Sequence, residues 1–359
     1  MDGFKNIKIN NFRGIDHLEI DDFSRVNVFL GQNSSGKSSV LECILLLMGM
    51  SNPDLPQTIN AIRSRSFSNF ADLGYLFHNY DLKVKPEVAA ELFDDSKRHL
   101  TLEMTYTFDE KSQLEVQDGH IPTSETKTFL NTLRMAFEFE SGQNKNSYEC
   151  SITVNPQGLI SNKRMAEGYL EKNSVAFISS DLAAGNPAND LVELAKRKRK
   201  DIVTERLQHF DSRITTLEIL NNVAYIGLDG IDQLLTVNMQ GDGLRRYLNI
   251  VAASANPMNN ILLIDEIENG LHYSAYQKLW EALFALATTT NKQVFVTTHS
   301  KETLFRLSKM IEEHPEFQNG MRLYTIENTL KKGFQAYKYT YEGLSGACEN
   351  DVELRSIVR

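Results

Sequence analysis

An α/β fold, with a mostly parallel sheet flanked by helices, is predicted by three features of the sequence. Continuous apolar runs such as Ile261-Leu262-Leu263-Ile264 end abruptly in polar residues, as buried parallel strands do. Helix-forming stretches alternate with such runs through the last third of the chain. Between an apolar run at 26–30 and a helix-forming run at 39–48 lies Gly31-Gln32-Asn33-Ser34-Ser35-Gly36-Lys37-Ser38, a glycine pair followed by Lys-Ser at the spacing of a phosphate-binding loop.

Residues 7–10 and 17–20 alternate apolar and polar around Arg13-Gly14, which predicts two short strands joined by a turn, an N-terminal antiparallel β part. Arg13 stands either within reach of a nucleotide or on a solvated turn. The helix after the phosphate loop is expected to stop at Gly49. From 51 to 173 the character changes to polar segments and isolated strands, clearest at 99–108, with others near 134–140 and 148–154. This stretch is expected to be an inserted β-rich lobe. Before it, Phe67, Phe70, Leu73, Tyr75, Leu76 and Phe77 read as core or as a recognition surface.

A strand is expected at 175–178 and a helix at 189–210, which carries Lys196, Arg197, Lys198, Arg199 and Lys200. Consecutive residues advance about 100° around a helix, so this basic run would encircle it, as in a projecting arm. Such an arm is either merely solvated or touches a nucleic-acid backbone. A helix at 244–253, strands at 261–264, 293–296 and 322–326, and helices near 273–287 and from 302 complete the pattern, with the ligand expected at the carboxyl ends of the strands. The expected units are 1–50, 51–173, 174–220 and 221–359, the second and third being the lobe and the arm.

The chemistry follows from placement. Gly31 and Gly36 let successive amides converge on a polyphosphate, so Gly31, Asn33, Ser34, Ser35, Gly36, Lys37, Ser38 and Ser39 are the expected contacts. Lys37 supplies a point charge for the terminal phosphates and the Ser38 hydroxyl a ligand for Mg²⁺. Asp265 and Glu266 end an apolar strand; Asp265 is assigned to the Mg²⁺ shell and Glu266 to polarising the attacking water. His299 follows the next strand, where an imidazole can contact the terminal phosphate or the attacking water and change its contacts once the phosphate leaves. Gly241, Asp242, Gly243 and Arg245 lie at the start of a second helix, whose N-terminus is either a further anion site or follows a plain loop glycine pair.

Composition bounds the rest. The net charge of -9 argues against a generally basic nucleic-acid binder, while a local basic stripe survives inside an acidic total. Cys43, Cys150 and Cys348 suggest neither a disulfide framework nor a zinc site and fit a reducing compartment. The opening residues lack a signal-peptide pattern and the apolar run 43–48 is too short to span a bilayer, so a cytoplasmic protein with no membrane contact is expected.

Taken in order, Gly31 to Ser38, Gly241 to Arg246, Leu263 to Glu266 and Thr298-His299 resemble the Walker A, signature, Walker B and switch-histidine motifs of ABC-type P-loop ATPases. Ile9-Asn10-Asn11-Phe12-Arg13-Gly14 and Asp265-Glu266-Ile267-Glu268-Asn269-Gly270-Leu271-His272 are similar to the AAA-family ATPases related to SMC, RecF and the overcoming-lysogenisation-defect (OLD) proteins. The resemblance covers about 5–50 and 220–330. It implies ATP and Mg²⁺ as ligands, ATP hydrolysis, and a homodimer or higher homo-oligomer in which the glycine turn of one copy closes on the triphosphate over Lys37 of another. The signature lacks the transporters' serine, which leaves its phosphate contact to amides or Arg245. The D-loop position holds Gly270-Leu271-His272, and Gln57 is the candidate for the Q-loop.

No sustained heptads occur, which excludes a long SMC arm. No acidic cluster of a Toprim nuclease follows the ATPase motifs, so a nuclease or toxin effector is expected on a separate chain. An ATP switch that controls such an effector in bacterial anti-phage defence is the first expectation, and a DNA-binding SMC/RecF-like repair or maintenance ATPase the alternative. A third has ATP as structural glue. The base-reading Asn-Lys-x-Asp motif of GTPases is missing.

Overall fold

The computed structural model describes residues 3–64, 70–108, 129–154, 160–181 and 186–356. In chain order the strands are β1 (Ile7–Phe12), β2 (Ile15–Ile20), β3 (Val26–Leu30), β4 (Glu87–Glu91), β5 (Lys97–Phe108), β6 (Phe129–Ser141), β7 (Asn144–Val154), β8 (Ile160–Arg164), β9 (Val175–Ile178), β10 (Ile214–Leu220), β11 (Val223–Leu228), β12 (Leu235–Thr236), β13 (Ile261–Ile264), β14 (Gln293–Thr297), β15 (Met321–Thr329) and β16 (Gly333–Tyr339). The helices are α1 (Lys37–Met48), α2 (Leu55–Ser64), α3 (Ala188–Lys196), α4 (Lys200–Phe210), α5 (Asp242–Ala255), α6 (Tyr276–Thr289), α7 (Lys301–Glu313) and α8 (Tyr341–Glu349).

The central sheet has the order β16-β15-β3-β14-β13-β9, parallel throughout except for β16 at one edge. Both faces are covered, which is why β3, β13 and β14 are buried at every position and mostly apolar. Val28, Leu262, Val296 and Leu323 face a core shared with α5, α6 and α7. Phe29, Leu263, Phe295 and Tyr324 face the other way, toward α1. Phe29 and Phe295 stack with ring centroids 6.1 Å apart, and Phe23 meets Phe295 edge-on at 5.0 Å.

A second, antiparallel sheet, ordered β2-β1-β4-β5-β6-β7-β8, packs on the far side of α1. Squeezed between two sheets, α1 is buried all round, and this accounts for its unbroken apolar run. The strands of 51–173 thus continue the sheet begun by β1 and β2. Leu100, Leu102, Met135, Phe137 and Ile152 point inward, while the outer face is laced by cross-strand pairs such as Arg134 with Glu149 and Lys145 with Glu138. In the aromatic-rich patch Leu73, Leu76 and Phe77 are core, Tyr75 is exposed, and Phe67 lies outside the described residues.

The single helix expected over 189–210 is two helices, α3 and α4, broken at Lys198, whose φ is +56°. One continuous helix would stack like charges three and four residues apart. The break lets Lys196 pair with Glu193 and Lys200 with Glu218, and it brings Leu191, Leu194, Val203 and Leu207 into the same core. The basic run therefore lies on the body of the molecule. Next comes a small sheet, β10-β11-β12, whose β10–β11 hairpin turns on Asn221 and Asn222, both at positive φ.

Candidate nucleotide-binding site

The loop between β3 and α1 is shaped by its glycines. At Gly31, φ is +150° and an added Cβ would lie 2.6 Å from the Ile326 carbonyl oxygen; at Gly36, φ is +93°. Gly36 caps α1 with no side-chain hydrogen bond, so the first amides of the helix remain available to an anion. Lys37 is buried, and its Nζ donates to the carbonyls of Gly31 (2.9 Å) and Gln32 (2.7 Å). Burial lowers its pKa, against the pull of Asp265, Glu266 and Glu268. The ammonium therefore rests on carbonyls of its own loop, partners it can exchange for phosphate oxygens.

Four apolar residues of β13 lead to Asp265, whose Oδ1 accepts from Ser38 Oγ (2.8 Å) and from Thr297 Oγ1 (2.6 Å). Thr297 Oγ1 in turn accepts from the Glu266 amide at 2.8 Å. Glu266 takes φ of +48°, a left-handed turn that breaks strand alternation and brings its side chain to the cavity beside Lys37. Desolvation, reinforced by Asp265 and Glu268, raises its carboxyl pKa, while His299 and Lys37 oppose. Thr297 belongs to no sequence motif, yet it ties β14 to both acids.

The cavity, about 340 Å³, is lined by Arg13, by Asn33 to Ser39, and by Arg63, Glu266 and Phe334. Arg13 is no solvated turn residue. Its Nε donates to Glu42 at 2.6 Å and its Nη2 to Asn60 at 3.0 Å. Buried Glu42 also accepts from Arg63 Nε at 2.5 Å, so one carboxylate orients a pair of arginines beside the loop. Sequence pattern gives no sign of Arg63 and Glu42, because they lie on helices outside any motif.

His299, two residues beyond β14, has its ring Nδ1 3.2 Å from Glu268 Oε1. Gly241 and Asp242 are exposed at the start of α5, Arg245 pairs with Asp242 at 3.2 Å, and none of these residues lines the cavity. The glycine turn instead packs on the D-loop position, where a Cβ on Gly243 would lie 3.3 Å from the Gly270 carbonyl oxygen. Arg246, the next residue after Arg245, is 2% exposed. It donates to the carbonyls of Ser179, Asp265 (2.6 Å) and Glu266 (3.0 Å), linking α5 to both acids. Burial holds its pKa down to about 10. Gln57, on α2, does not line the cavity.

One chain therefore brings together the phosphate loop, Arg13, Asp265 and Glu266, and leaves Gly241 to Arg245 apart. The donor set of hydroxyl and carboxylate at Ser38 and Asp265 fits a hard oxygen-seeking cation such as Mg²⁺. Among the described residues no cluster of three or more His, Cys, Asp or Glu side chains is placed to bind a metal ion by itself.

The chain matches the AAA ATPase domain over residues 4–304. It is 25% identical over 346 residues, 90% of this chain and 92% of the relative, to a Helicobacter pylori protein named ATP/GTP phosphatase. It is 24% identical over 339 residues, 82% of this chain and 91% of the relative, to the DNA replication and repair protein RecF of Leptospira interrogans. Among solved structures, the SMC head bound to the C-terminal winged-helix domain of ScpA matches with a TM-score of 0.51 and 11% identity, over 95% of this chain and 99% of that one. At that identity the likeness is one of fold. No helix among the described residues is long and apolar enough to cross a membrane.

Proposed function

This chain belongs to the AAA ATPase domain family, and from that premise we propose that it is an ATP-driven switch in which copies close on the triphosphate and reopen after hydrolysis. The observation that carries this reading is the separation of the cavity, lined by Lys37 and Glu266, from the exposed glycine turn at the start of α5. That turn is a helix N-terminus whose amides no side chain caps. A second copy, presenting its Gly241 to Arg245 to the triphosphate over Lys37, would complete the anion site.

In this mechanism Lys37 leaves the carbonyls of Gly31 and Gln32 for the terminal phosphates. Ser38 and Asp265 would hold Mg²⁺, which when bound neutralises charge on the transferring group. Glu266 takes the proton of the attacking water, and Thr297 and Arg246 keep its backbone in place. His299 meets the terminal phosphate and is freed when it departs. The resemblance of residues 9–14 and 265–272 to the ATPases related to SMC, RecF and the OLD proteins supports a role in phage defence, and the lack of a Toprim-type acidic cluster supports a nuclease or toxin effector on a separate chain.

Sedimentation velocity tests the switch. With ATP and Mg²⁺ the wild type is expected to sediment as a dimer or larger species and without ATP as a smaller one. Lys37→Ala is expected to stay small and release no phosphate while keeping its fold. Wild-type protein that hydrolyses ATP but sediments identically with and without it contradicts the switch, and hydrolysis lost in Lys37→Ala rules out ATP as mere structural glue.

The second reading, a DNA-binding ATPase, is favoured by the exposed Lys196, Arg197 and Lys198 at the break between α3 and α4, and by the name of the RecF relative. It expects duplex binding that weakens steeply with salt and is lost when Lys196, Arg197, Lys198, Arg199 and Lys200 are neutralised. ATPase activity and binding that ignore DNA count against it.

A further inference from the structure

The segment 351–356, outside every motif, lies against the loop that carries His299. Leu354 is buried in the core beneath the parallel sheet, and its carbonyl accepts the hydroxyl of buried Thr325 on β15, which fixes the segment to the sheet. The Glu353 carboxylate then holds Arg355 in a two-pronged grip, with Nε and Nη2 each donating at 2.7 Å. Lys301, in the first turn of α7, reaches the same carboxylate at 3.3 Å. Bonded to Arg355 above all, the Glu353 carboxyl is pulled down to about 2. The remaining prong, Nη1, donates to the His299 carbonyl at 2.6 Å.

The other side of the same residue is also held. The His299 amide donates to Glu268 Oε1 at 2.9 Å, and Glu268 belongs to the turn that follows β13. His299 is thus gripped at its N–H from the strand that ends in the paired acids and at its C=O from β15, through residues 353–355. With both peptide groups fixed, the half-exposed imidazole can move only through its side-chain torsions, and its Nδ1 rests 3.2 Å from Glu268 Oε1. A guanidinium spent only on a surface ion pair with Glu353 would contribute little. Its third bond, to a backbone carbonyl in the switch loop, gives it a different use.

We propose that Arg355 is a positioning residue for His299, holding the imidazole in register with the terminal phosphate and linking the segment 351–356 to ATP turnover. This inference rests on the reading of His299 as the group that follows the phosphate. No bond is made or broken by Arg355. Its effect falls on how often the imidazole occupies the productive geometry, and misplacements of about an ångström can cost up to about a hundredfold in rate.

The test is a double-mutant cycle in steady-state ATP hydrolysis by the full chain. Arg355→Ala is expected to lower kcat about tenfold, with the KM for ATP changed by less than about twofold, since the phosphate loop and Lys37 that line the cavity are untouched. Arg355→Lys, which keeps a donor for the His299 carbonyl, is expected to recover a substantial part of that loss. The double variant Arg355→Ala/His299→Ala should be no slower than His299→Ala alone. Wild-type kcat in Arg355→Ala beside a slow His299→Ala overturns this inference and leaves the reading of His299 standing, as does a double variant slower by the product of the two effects. Wild-type kcat in His299→Ala overturns both. If thermal unfolding shows that Arg355→Ala does not fold, Arg355→Gln and Glu353→Gln, which loosen the same grip, are read by the same criteria.

Discussion

Replacing Glu266 with Gln is expected to lower the steady-state rate of phosphate release by about 10²–10⁴-fold, the usual worth of a positioned general base. The substitution preserves size and the amide that donates to Thr297 Oγ1, so the left-handed turn and the cavity beside Lys37 persist. ATP should still bind, and the closed, ATP-loaded form should accumulate because the step that reopens it is lost. The pH profile sharpens the expectation. Glu266 acts as a base only when ionised, and burial beside Asp265 raises its pKa above the ordinary carboxylate value. The wild-type rate should therefore fall on acidification at a higher pH than an exposed glutamate would give, and the Gln variant should lose that limb. Turnover in Glu266→Gln equal to wild type would remove Glu266 from the reaction.

The largest effect on stability is expected at Arg246. Its replacement by Ala leaves the carbonyls of Ser179 and Asp265 without their donor, takes from the Glu266 carbonyl one of its two donors (the Asn269 amide remains), and opens a void under α5. Each orphaned buried acceptor costs about 1–3 kcal/mol, so a loss of about 3 kcal/mol or more is expected in urea unfolding. Arg246→Lys should recover part of it, because a compact ammonium lacks the spread by which Nη1 reaches the Ser179 carbonyl while Nη2 reaches those of Asp265 and Glu266. Activity is expected to fall as well, since the backbone of both acids loses its anchor to α5. An Arg246→Ala protein as stable as wild type would mean that water replaces the guanidinium.

Much of the nucleotide half of the molecule is legible in the sequence alone, for local reasons. A phosphate loop needs particular residues at particular spacings, and a parallel strand buried on both faces cannot alternate, so β3, β13 and β14 announce themselves. What stays hidden is set by tertiary pairing. That β4 to β8 join β1 and β2 in one sheet depends on contacts such as Lys8 with Ala89, which local pattern does not encode. The break at Lys198 arises because two amphipathic halves reach the same core, while periodicity alone favours one helix. The residues that orient the site are hidden for the same reason. Thr297, Glu42, Arg63 and Arg246 act through partners in other elements, Ser38 to Asp265 being the one such pairing that motif spacing foretells.

The central claim, that each triphosphate is shared between the loop of one copy and the glycine turn of another, is tested most directly by mixing two crippled proteins. Lys37→Ala removes the loop's cation and leaves its turn intact. Gly241→Asp places a negative charge on the turn. Its fold should survive, because Gly241 is exposed, has φ of −60°, and a Cβ there meets nothing within 4 Å. Each alone is expected to be inactive. In a mixed dimer one of the two sites is rebuilt, the loop of the Gly241→Asp copy facing the turn of the Lys37→Ala copy, so phosphate release should return in the mixture although neither variant releases phosphate alone. A mixture no more active than its components, or a Gly241→Asp protein active by itself, would contradict the shared site.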